Sequence, residues 1–502
     1  MPSPIQHRAM PIVAQHNNVL IHSATGSGKT LAYLLPLLSR LEPAKSLQLI
    51  VLVPNRELAL QVTDLAQRLV SSRLSSSGPT TLACVDAALD IHLIAGGIAP
   101  PSGESGILHH HRELLRRIQA RKAQVVISTP KQLLQLLSLG GEGAGGGSAG
   151  NLLLLDIVKG LDALVLDEVD ALLPKPIMDG ADYYKRKMYS KTTRAERKQM
   201  LERGSDCAVI LRRLCRAAKA LGKKQVSELY KRGLGHHRAR RWSRQAEMLE
   251  RQAGLGFQIV GCSATLNSAV PGIIRRLLNL SDTPQVVSAK HVELAPDNTR
   301  EYRGKAVERG AGGVAMPRTM SHLSVEVANE EMKPAALKSL LSSLSPRVSL
   351  VVLPHDAPIK QWISQLHAAG IHRAVSLHEA MGFSIRNNLS PSSLHVLEQY
   401  RKLKGLAGDA GGVNSYVFVT TERAARGLDL PHVDTVIMLY APATSDTYVH
   451  LAGRCGRGAA VAQGGSVVSI LTKDQSRRLG LFSSQLGAPI QRVESDCRGK
   501  GE

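Results

Sequence analysis

The stretch Ser23-Ala24-Thr25-Gly26-Ser27-Gly28-Lys29-Thr30 decides the fold of the first half of this chain. It lies between a short apolar run that ends at His22 and a helical pattern that begins at Leu31. This order of strand, glycine loop and helix is typical of a phosphate-binding loop, in which Lys29 reaches the β and γ oxygens of a nucleotide and the Thr30 hydroxyl ligates Mg²⁺. The stretch predicts a nucleotide site in a parallel α/β domain, and the alternative is a loop of the same pattern that binds nothing.

An acidic motif farther along supports the first interpretation. The apolar run 163–166 predicts a strand, and Asp167-Glu168-Val169-Asp170 follows it directly. The carboxyl end of a parallel strand faces the ligand crevice, where Asp167 can hold Mg²⁺ and Glu168 can orient the attacking water. Alone, such a pair more often caps a helix, but beside a phosphate-binding loop it predicts a site for ATP and Mg²⁺.

Apolar runs of strand length alternate with helical patterns along the chain, which predicts an α/β fold with parallel sheets. The predicted strands are 18–22, 47–53, 91–94, 124–128, 163–166 and 257–262 in a first series, and 348–353, 416–420, 435–439 and 465–471 in a second. We expect a first domain over 1–288, a linker over 289–321, a second domain over 322–488 and a short tail over 489–502.

Two stretches interrupt the first domain. Residues 140–150 are rich in Gly and predict a loop. Residues 174–256 stand where about 2–6 residues and one helix are usual, and their 22 Lys and Arg against 8 Asp and Glu hold most of the chain's formal charge of +22. We expect a basic, helical insertion that contacts RNA phosphates, with Tyr230 and Trp242 available for base stacking, and a solvated charged segment is the alternative.

Composition excludes several classes of protein. Of the 502 residues, 43% are hydrophobic, which is enough for two or three cores, and the apolar runs are strand-sized, which excludes a transmembrane span. The six cysteines form no CxxC pair, and His109-His110-His111 has no second ligand cluster, so we expect neither a zinc site nor a disulfide framework. The charge of +22 favours a polyanionic partner such as nucleic acid.

Two arginines in the second domain complete the chemistry of phosphoryl transfer. Gly453-Arg454-Cys455-Gly456-Arg457 offers positive charge for the oxygens of a γ-phosphate if two domains close over one ATP. Taken alone, such a pair is more often a pair of surface charges.

In their order along the chain these motifs resemble those of the DEAD-box family of ATP-dependent RNA helicases. The matching segments are Pro2–Gln6 (Q motif), Ser23–Thr30 (I), Pro54–Ala59 (Ia), Gly96-Gly97, Thr129-Pro130 (Ib), Asp167–Asp170 (II), Ser263–Thr265 (III), Leu350–Leu353 (IV), Thr421–Asp429 (V) and Tyr448–Arg457 (VI). The resemblance implies two RecA-like domains that bind ATP and RNA together, bend one RNA strand and release the product after hydrolysis. It also implies a monomer that contacts mostly the RNA backbone, with ribonucleoprotein or ribosomal assembly factors as partners.

The resemblance also assigns roles to residues. The ATP-binding set is Gln6 for adenine, Ser23, Ala24, Thr25, Gly26, Ser27, Gly28, Lys29, Thr30, and Asp429 beside the ribose. The catalytic set is Lys29, Asp167, Glu168, Arg454 and Arg457, with Thr30 and Asp167 as Mg²⁺ ligands. Coupling between ATP and RNA is implied for Asp170, Ser263, Thr265 and His450. RNA contacts are implied for Pro54, Arg56, Gly97, Thr129 and Thr421.

The chain departs from the family pattern at five places. They are Asn55 for Thr, Lys131-Gln132 for Gly-Arg, Phe383 for Gln, Glu422 for Asp, and Leu451 for an Arg that would add a cation to the domain interface. These changes keep a rival hypothesis open, in which the protein is an ATP-gated RNA clamp with little turnover. A DNA helicase is a third alternative, which predicts equal stimulation by single-stranded DNA.

The beginning of the chain lies inside the Q motif, without the upstream aromatic residue that stacks on adenine in the family. We therefore expect a gene product longer than this chain. No signal or transit segment is visible, so an intracellular, soluble protein is expected, and a plastid or mitochondrial location stays open.

Overall fold

The computed structural model describes most of both predicted domains. The described residues are 2–23, 26–42, 44–76, 91–94, 123–139, 149–173, 205–233, 256–264, 266, 270–278, 280–288, 320–383, 399, 401–403, 415–425, 430, 433–455, 465–483 and 489–493. Several predictions lie outside them: the Gly-rich loop over 140–148, the linker over 289–319, and the parts of the basic insertion over 174–204 and 234–255. The chain forms two compact units that divide between Lys290 and His291, apart from two short loop pieces of the first half.

The first unit is a parallel sheet of seven strands in the order β3-β4-β2-β5-β6-β1-β7. Its strands are β1 (Val19–His22), β2 (Leu49–Leu52), β3 (Ile91–Ile94), β4 (Val125–Ser128), β5 (Ala163–Asp167), β6 (Gln258–Ser263) and β7 (Gln285–Ser288). Its helices are α1 (Pro4–Ala14), α2 (Lys29–Ser39), α3 (Arg56–Ser76), α4 (Pro130–Leu139), α5 (Ala149–Gly160), α6 (Val169–Leu172), α7 (Asp206–Gly233) and α8 (Val270–Leu278). Because every described pair is parallel, the strands end at one edge of the sheet.

The second unit is also a parallel sheet of seven strands, in the order β10-β11-β9-β12-β13-β8-β14. Its strands are β8 (Met320–Val327), β9 (Val348–Leu353), β10 (Ala374–Ser376), β11 (Tyr416–Thr421), β12 (Thr435–Met438), β13 (Gly465–Thr472) and β14 (Gln491–Val493). Its helices are α9 (Lys333–Leu344), α10 (Ile359–Ala368), α11 (Leu377–Ala380), α12 (Glu422–Ala425), α13 (Ser445–Ala452) and α14 (Lys473–Ser483). When the strands of each unit are counted from its own first strand, both sheets have the same order, so the second unit repeats the topology of the first.

Burial on both faces explains why the sequence forms these central strands. All residues of β2, β4 and β9 are buried, and they are almost all aliphatic, as expected for strands covered by helices on both sides. A sheet of this kind gives a continuous apolar core in each unit, to which Leu164, Leu166 and Ile259 contribute in the first and Val351, Leu353 and Val419 in the second. The prediction of two parallel α/β domains is confirmed.

The sequence did not predict β8, in which exposed residues interrupt the buried ones, and it did not predict the short strands at the sheet edges. They are β7, β10 and β14, each of three or four residues. Their residues are partly exposed, so their sequences lack the continuous apolar run that marks the central strands. Two predicted boundaries change accordingly: the predicted tail contains β14, which pairs with β8, and β8 begins at Met320, inside the predicted linker.

Helix α7 corrects the interpretation of the basic insertion. Its first half buries Cys207, Ile210, Leu211 and Leu214 in the core of the first unit, where the helix packs against α4, α5 and α8. The segment is helical, as predicted, but this half of it is a structural part of the domain. The alternative of a wholly solvated segment is wrong for these residues. Across the described part of the chain, no helix has both the length and the apolar character needed to cross a membrane.

Candidate nucleotide and RNA site

The phosphate-binding loop connects β1 to α2, as the sequence predicts. Gly26 and Gly28 have φ angles of 78° and 88°, in the left-handed region that glycine adopts without strain. Lys29 opens α2 and is only 7% exposed, and its Nζ donates a hydrogen bond of 2.8 Å to the Ser23 carbonyl. The lysine is thus folded back along its own loop. Ala24 and Thr25 lie outside the described residues.

Helix α1 places Gln6 against this loop. Ser3 caps the helix, and its backbone N–H donates to Gln6 Oε1 at 2.8 Å while its Oγ donates to the Ser27 carbonyl at 2.8 Å. Gln6 Nε2 in turn donates to the Gly28 carbonyl at 3.3 Å. The segment that resembles the Q motif is therefore attached to the backbone of the phosphate-binding loop through two side chains.

Asp167, at the end of β5, is the buried acid of the site and is 3% exposed. Both of its carboxylate oxygens accept hydrogen bonds from side chains: Tyr33 Oη donates to Oδ2 at 2.8 Å, and Cys262 Sγ donates to Oδ1 at 2.9 Å. Tyr33 lies on α2, the helix that also carries Thr30, and Thr30 acts to lower the pKa of the Tyr33 phenol. The Tyr33 hydrogen bond thus joins the helix of one predicted Mg²⁺ ligand, Thr30, to the other, Asp167. A carboxylate and a hydroxyl are the hard oxygen donors that Mg²⁺ prefers, so these residues fit the ion.

Burial raises the pKa values of Asp167, Tyr33 and Cys262. It raises the pKa of Asp167, and the neighbouring Glu168 carboxylate raises it further, whereas hydrogen bonds from Cys262 and Tyr33 and the charge of Lys29 lower it. Burial and the Asp167 charge raise the pKa values of Tyr33 and Cys262 well above their ordinary values. The phenol and the thiol therefore remain neutral hydrogen-bond donors at neutral pH.

Glu168 and Asp170 continue the acidic motif into α6. Glu168 is 7% exposed and has φ 54°, a left-handed conformation that is uncommon for a residue with a side chain. Asp170 Oδ1 accepts a hydrogen bond from Ser263 Oγ at the end of β6. The structure thus links the segments that resemble motifs II and III, while Thr265 lies outside the described residues.

The predicted RNA contacts of the first unit follow β2 and β4 at the same edge of the sheet. Pro54 and Arg56 frame Asn55, which is 7% exposed and accepts a hydrogen bond of 2.8 Å from the Leu58 N–H. Asn55 thus caps α3, which explains how Asn can replace the family's Thr. Thr129 precedes α4, and its carbonyl accepts from the Gln132 and Leu133 N–H groups. Gly97 lies outside the described residues.

In the second unit, two departures from the family pattern are buried. Leu451 is 0% exposed and Phe383 is 1% exposed, so both side chains belong to the core of the unit. Glu422 follows Thr421 at the end of β11, and its Oε2 accepts a hydrogen bond of 2.9 Å from the Tyr440 hydroxyl. These contacts account for the three departures as packing and hydrogen bonding within the unit.

The predicted coupling and arginine residues of the second unit lie at the end of α13. His450 is 4% exposed, and its carbonyl accepts a hydrogen bond of 2.9 Å from Arg454 Nε. Arg454 is itself 3% exposed. Asp429 and Arg457 lie outside the described residues.

Sequence reasoning missed Tyr33 and Cys262. Tyr33 follows Lys29 by four positions on α2, so it lies on the same face of the helix as that lysine. Cys262 is the register partner of Asp167 in the pairing of β5 with β6. The helical spacing was readable from the sequence, whereas the strand neighbour of Asp167 was not.

Comparison with known proteins gives two family matches. The DEAD/DEAH box helicase family matches residues 3–202, and the helicase conserved C-terminal domain matches residues 332–459. Among curated relatives, the ATP-dependent rRNA helicase SPB4 of Meyerozyma guilliermondii is 24% identical over 91% of this chain, and this chain spans 55% of that relative. The DEAD-box ATP-dependent RNA helicase 47B of Oryza sativa is 25% identical over 98% of this chain, which spans 71% of it.

Solved structures share the fold. Dbp5 of S. cerevisiae bound to RNA and ADP BeF3 aligns with 99% of this chain and 90% of its own, with a TM-score of 0.57 and 21% identity. Mss116p bound to ssRNA and AMP-PNP aligns with 99% of this chain and 74% of its own, with a TM-score of 0.60 and 16% identity. At these identities the likeness establishes the fold alone.

Proposed function

This chain belongs to the DEAD-box family of helicases, and we propose that it is an RNA-stimulated ATPase that opens short RNA duplexes or remodels RNA–protein complexes. One observation carries the proposal. Within the first unit, Lys29 and Thr30 open α2 while the buried Asp167 ends β5, and the Tyr33 hydroxyl of the same helix donates a hydrogen bond to Asp167. A phosphate-binding lysine and a pair of oxygen ligands at one sheet edge are what Mg-ATP requires.

The residues divide the chemical work as follows. Lys29 binds phosphate oxygens, and for this it must leave the Ser23 carbonyl that it contacts here. Glu168 orients the attacking water, and Arg454 and Arg457 stabilise the charge that develops on the γ-phosphate. Mg²⁺, held by Thr30 and Asp167, supplies charge neutralisation when bound. Gln6 reads the adenine edge, and Asp429 lies beside the ribose.

The proposed second ligand is RNA, contacted through its backbone. Pro54, Arg56, Gly97, Thr129 and Thr421 make these contacts in the proposal. Such contacts go to phosphates and sugar hydroxyls, so they distinguish RNA from DNA through the 2′-OH without reading the base sequence. Since a relative is called an rRNA helicase, we include structured ribosomal RNA and its assembly factors among the proposed partners.

The test is ATP hydrolysis by the purified protein with single-stranded RNA, with single-stranded DNA and without nucleic acid. We expect stimulation by RNA alone and its loss in Glu168→Gln, because the variant keeps the shape of the side chain but cannot act as a base. Binding of RNA in the presence of an ATP analogue, without turnover above the Glu168→Gln level, would instead support the clamp. Equal stimulation by DNA would contradict the RNA preference.

A further inference from the structure

The cluster around Asp167 contains two side chains to which the proposed reaction assigns nothing. Tyr33 is 0% exposed on α2, and Cys262 is 0% exposed in the penultimate position of β6. Both donate hydrogen bonds to Asp167, one to each carboxylate oxygen. A buried carboxylate with a defined donor on each oxygen has its orientation fixed before any ligand arrives.

Tyr33 does more than satisfy its own hydroxyl. One acceptor would be enough for a buried phenol O–H, and Asp167 supplies it at 2.8 Å. Tyr33 lies three positions after Thr30, the second oxygen ligand of the predicted metal site, on the same helix α2. The hydrogen bond from the phenol therefore attaches the helix that carries Thr30 to Asp167 at the end of β5.

Cys262 acts from the opposite side. The strand register pairs it with Asp167, and its thiol donates to Oδ1 at 2.9 Å while Tyr33 holds Oδ2. With a donor on each oxygen, the carboxylate cannot rotate without losing a hydrogen bond.

We propose that Tyr33 and Cys262 are positioning residues that hold Thr30 and Asp167 in the geometry required for Mg²⁺, so that they set the Mg²⁺ requirement of nucleotide binding. The proposal rests on the proposed function, because it takes the site to bind Mg-ATP. It goes beyond that function because the proposed reaction assigns neither residue to the nucleotide, the attacking water or the metal. Pre-organisation of ligands lowers the cost of binding, so loss of either donor has to be compensated by more metal.

The experiment measures the affinity of the full chain for a fluorescent ATP analogue at a series of Mg²⁺ concentrations, and again in EDTA. We expect Tyr33→Phe and Cys262→Ala each to raise the Mg²⁺ concentration for half-maximal binding by about 10-fold, since each removes a hydrogen bond to a charged group. Affinity in EDTA should stay at the wild-type level, because the phosphate-binding loop is untouched. Cys262→Ser, which keeps a donor, should resemble the wild type.

Cys207→Ala is the matched control, since it removes a buried thiol from α7 in the same unit. A merely structural role would lower affinity equally at all Mg²⁺ concentrations and in EDTA, and that result would overturn the proposal. So would a wild-type Mg²⁺ dependence in both Tyr33→Phe and Cys262→Ala. If Tyr33→Phe fails to fold, Cys262→Ala against Cys262→Ser decides alone.

The outcome also separates the two proposals. A wild-type protein that binds Mg-nucleotide but shows no RNA-stimulated hydrolysis would contradict the proposed function and leave the role of Tyr33 and Cys262 measurable. A wild-type protein that hydrolyses ATP with RNA, beside variants with unchanged Mg²⁺ dependence, would contradict only the positioning role. If the wild type binds no nucleotide, both proposals are wrong.

Discussion

Two independent constraints require glycine at position 28. Its φ of 88° is unfavourable for any residue with a side chain, and a β-carbon there would lie 2.2 Å from Gln6 Nε2. Gly28→Ala should therefore displace Gln6, lower ATP affinity and cost about 1–3 kcal/mol of unfolding free energy. Nucleotide titration and thermal unfolding of the variant test this.

Gly272→Ala is the control for that substitution. Gly272 lies in α8 of the same unit, and a β-carbon there would meet no atom within 4 Å. The change should leave ATP affinity unchanged and raise stability by up to about 1 kcal/mol, because alanine favours helix. If both variants lost ATP affinity equally, the Gly28 geometry would not be the cause.

Lys333 is a buried ammonium group at the start of α9. It is 0% exposed, and its Nζ donates to Glu330 Oε1, the Leu439 carbonyl and Gln475 Oε1 at 2.7, 2.7 and 2.8 Å. Lys333→Ala should destabilise the second unit by about 2–4 kcal/mol, since three acceptors lose a charged donor. Urea unfolding should show this loss, whereas Lys338→Ala, at an exposed position on the same helix, should change little.

Helix α7 combines a packing face with a charged face, and the two should separate by mutation. Leu211 is 0% exposed in the core of the first unit, whereas Arg216 and Lys219 are exposed. Leu211→Ala should cost about 2–5 kcal/mol by leaving a cavity, and the double change Arg216→Ala with Lys219→Ala should leave unfolding nearly unaffected. Equal losses in thermal unfolding would contradict the two-faced assignment.

Strand β8 carries a histidine that should make the second unit sensitive to acid. His322 is 3% exposed, its Nδ1 lies 3.0 Å from the Tyr448 hydroxyl, and burial lowers its pKa from the ordinary 6.5. The unfolded chain therefore binds a proton more readily than the folded one. Stability should be fully present above about pH 6.5 and fall as the pH drops through that value toward the lower folded pKa. His322→Gln should unfold with a weaker pH dependence in this range, and an unchanged dependence would assign it to other groups.

Whether an element could be predicted from the sequence depends on how its residues are buried. The central strands could be predicted because apolar residues fill both of their faces. The phosphate-binding loop and the acidic motif could be predicted because the residue types that such chemistry needs follow one another in the sequence directly after a strand. The edge strands β7, β10 and β14, and the strand β8 beside β14, were not predicted, because they carry mixed residues whose pairing depends on neighbours distant in the chain. The position of Cys262 beside Asp167 depends on which strands are neighbours in the sheet, and no local sequence pattern indicates that order. The buried face of α7 was hidden by the charge of its other face.

The two units repeat one topology, but different polar residues lie at the ends of their strands and helices. The first unit gathers Lys29, Thr30 and Asp167 at the ends of β1 and β5. The second unit places Arg454 just after α13, and Leu451 of that helix is buried. The two units thus share a strand order, and the chemistry proposed for each depends on the residues at the ends of its elements.

The charge of the whole chain leads to a prediction about salt. A protein that neutralises about five phosphates of single-stranded RNA should show a slope of roughly −3.5 in log affinity against log salt, which weakens binding about 100-fold for a fourfold rise in salt. The net charge of +22 favours binding through such contacts. If α7 meets RNA, the double change Arg216→Ala with Lys219→Ala should make the slope shallower by up to about 1.4, because two neutralised phosphates are lost. The control removes the exposed pair Arg275 and Arg276 on α8, which should leave the slope unchanged. Fluorescence anisotropy of labelled RNA measures the slope for the wild type, the α7 variant and the α8 control. The same slope in all three proteins would show that the basic face of α7 lies away from the RNA.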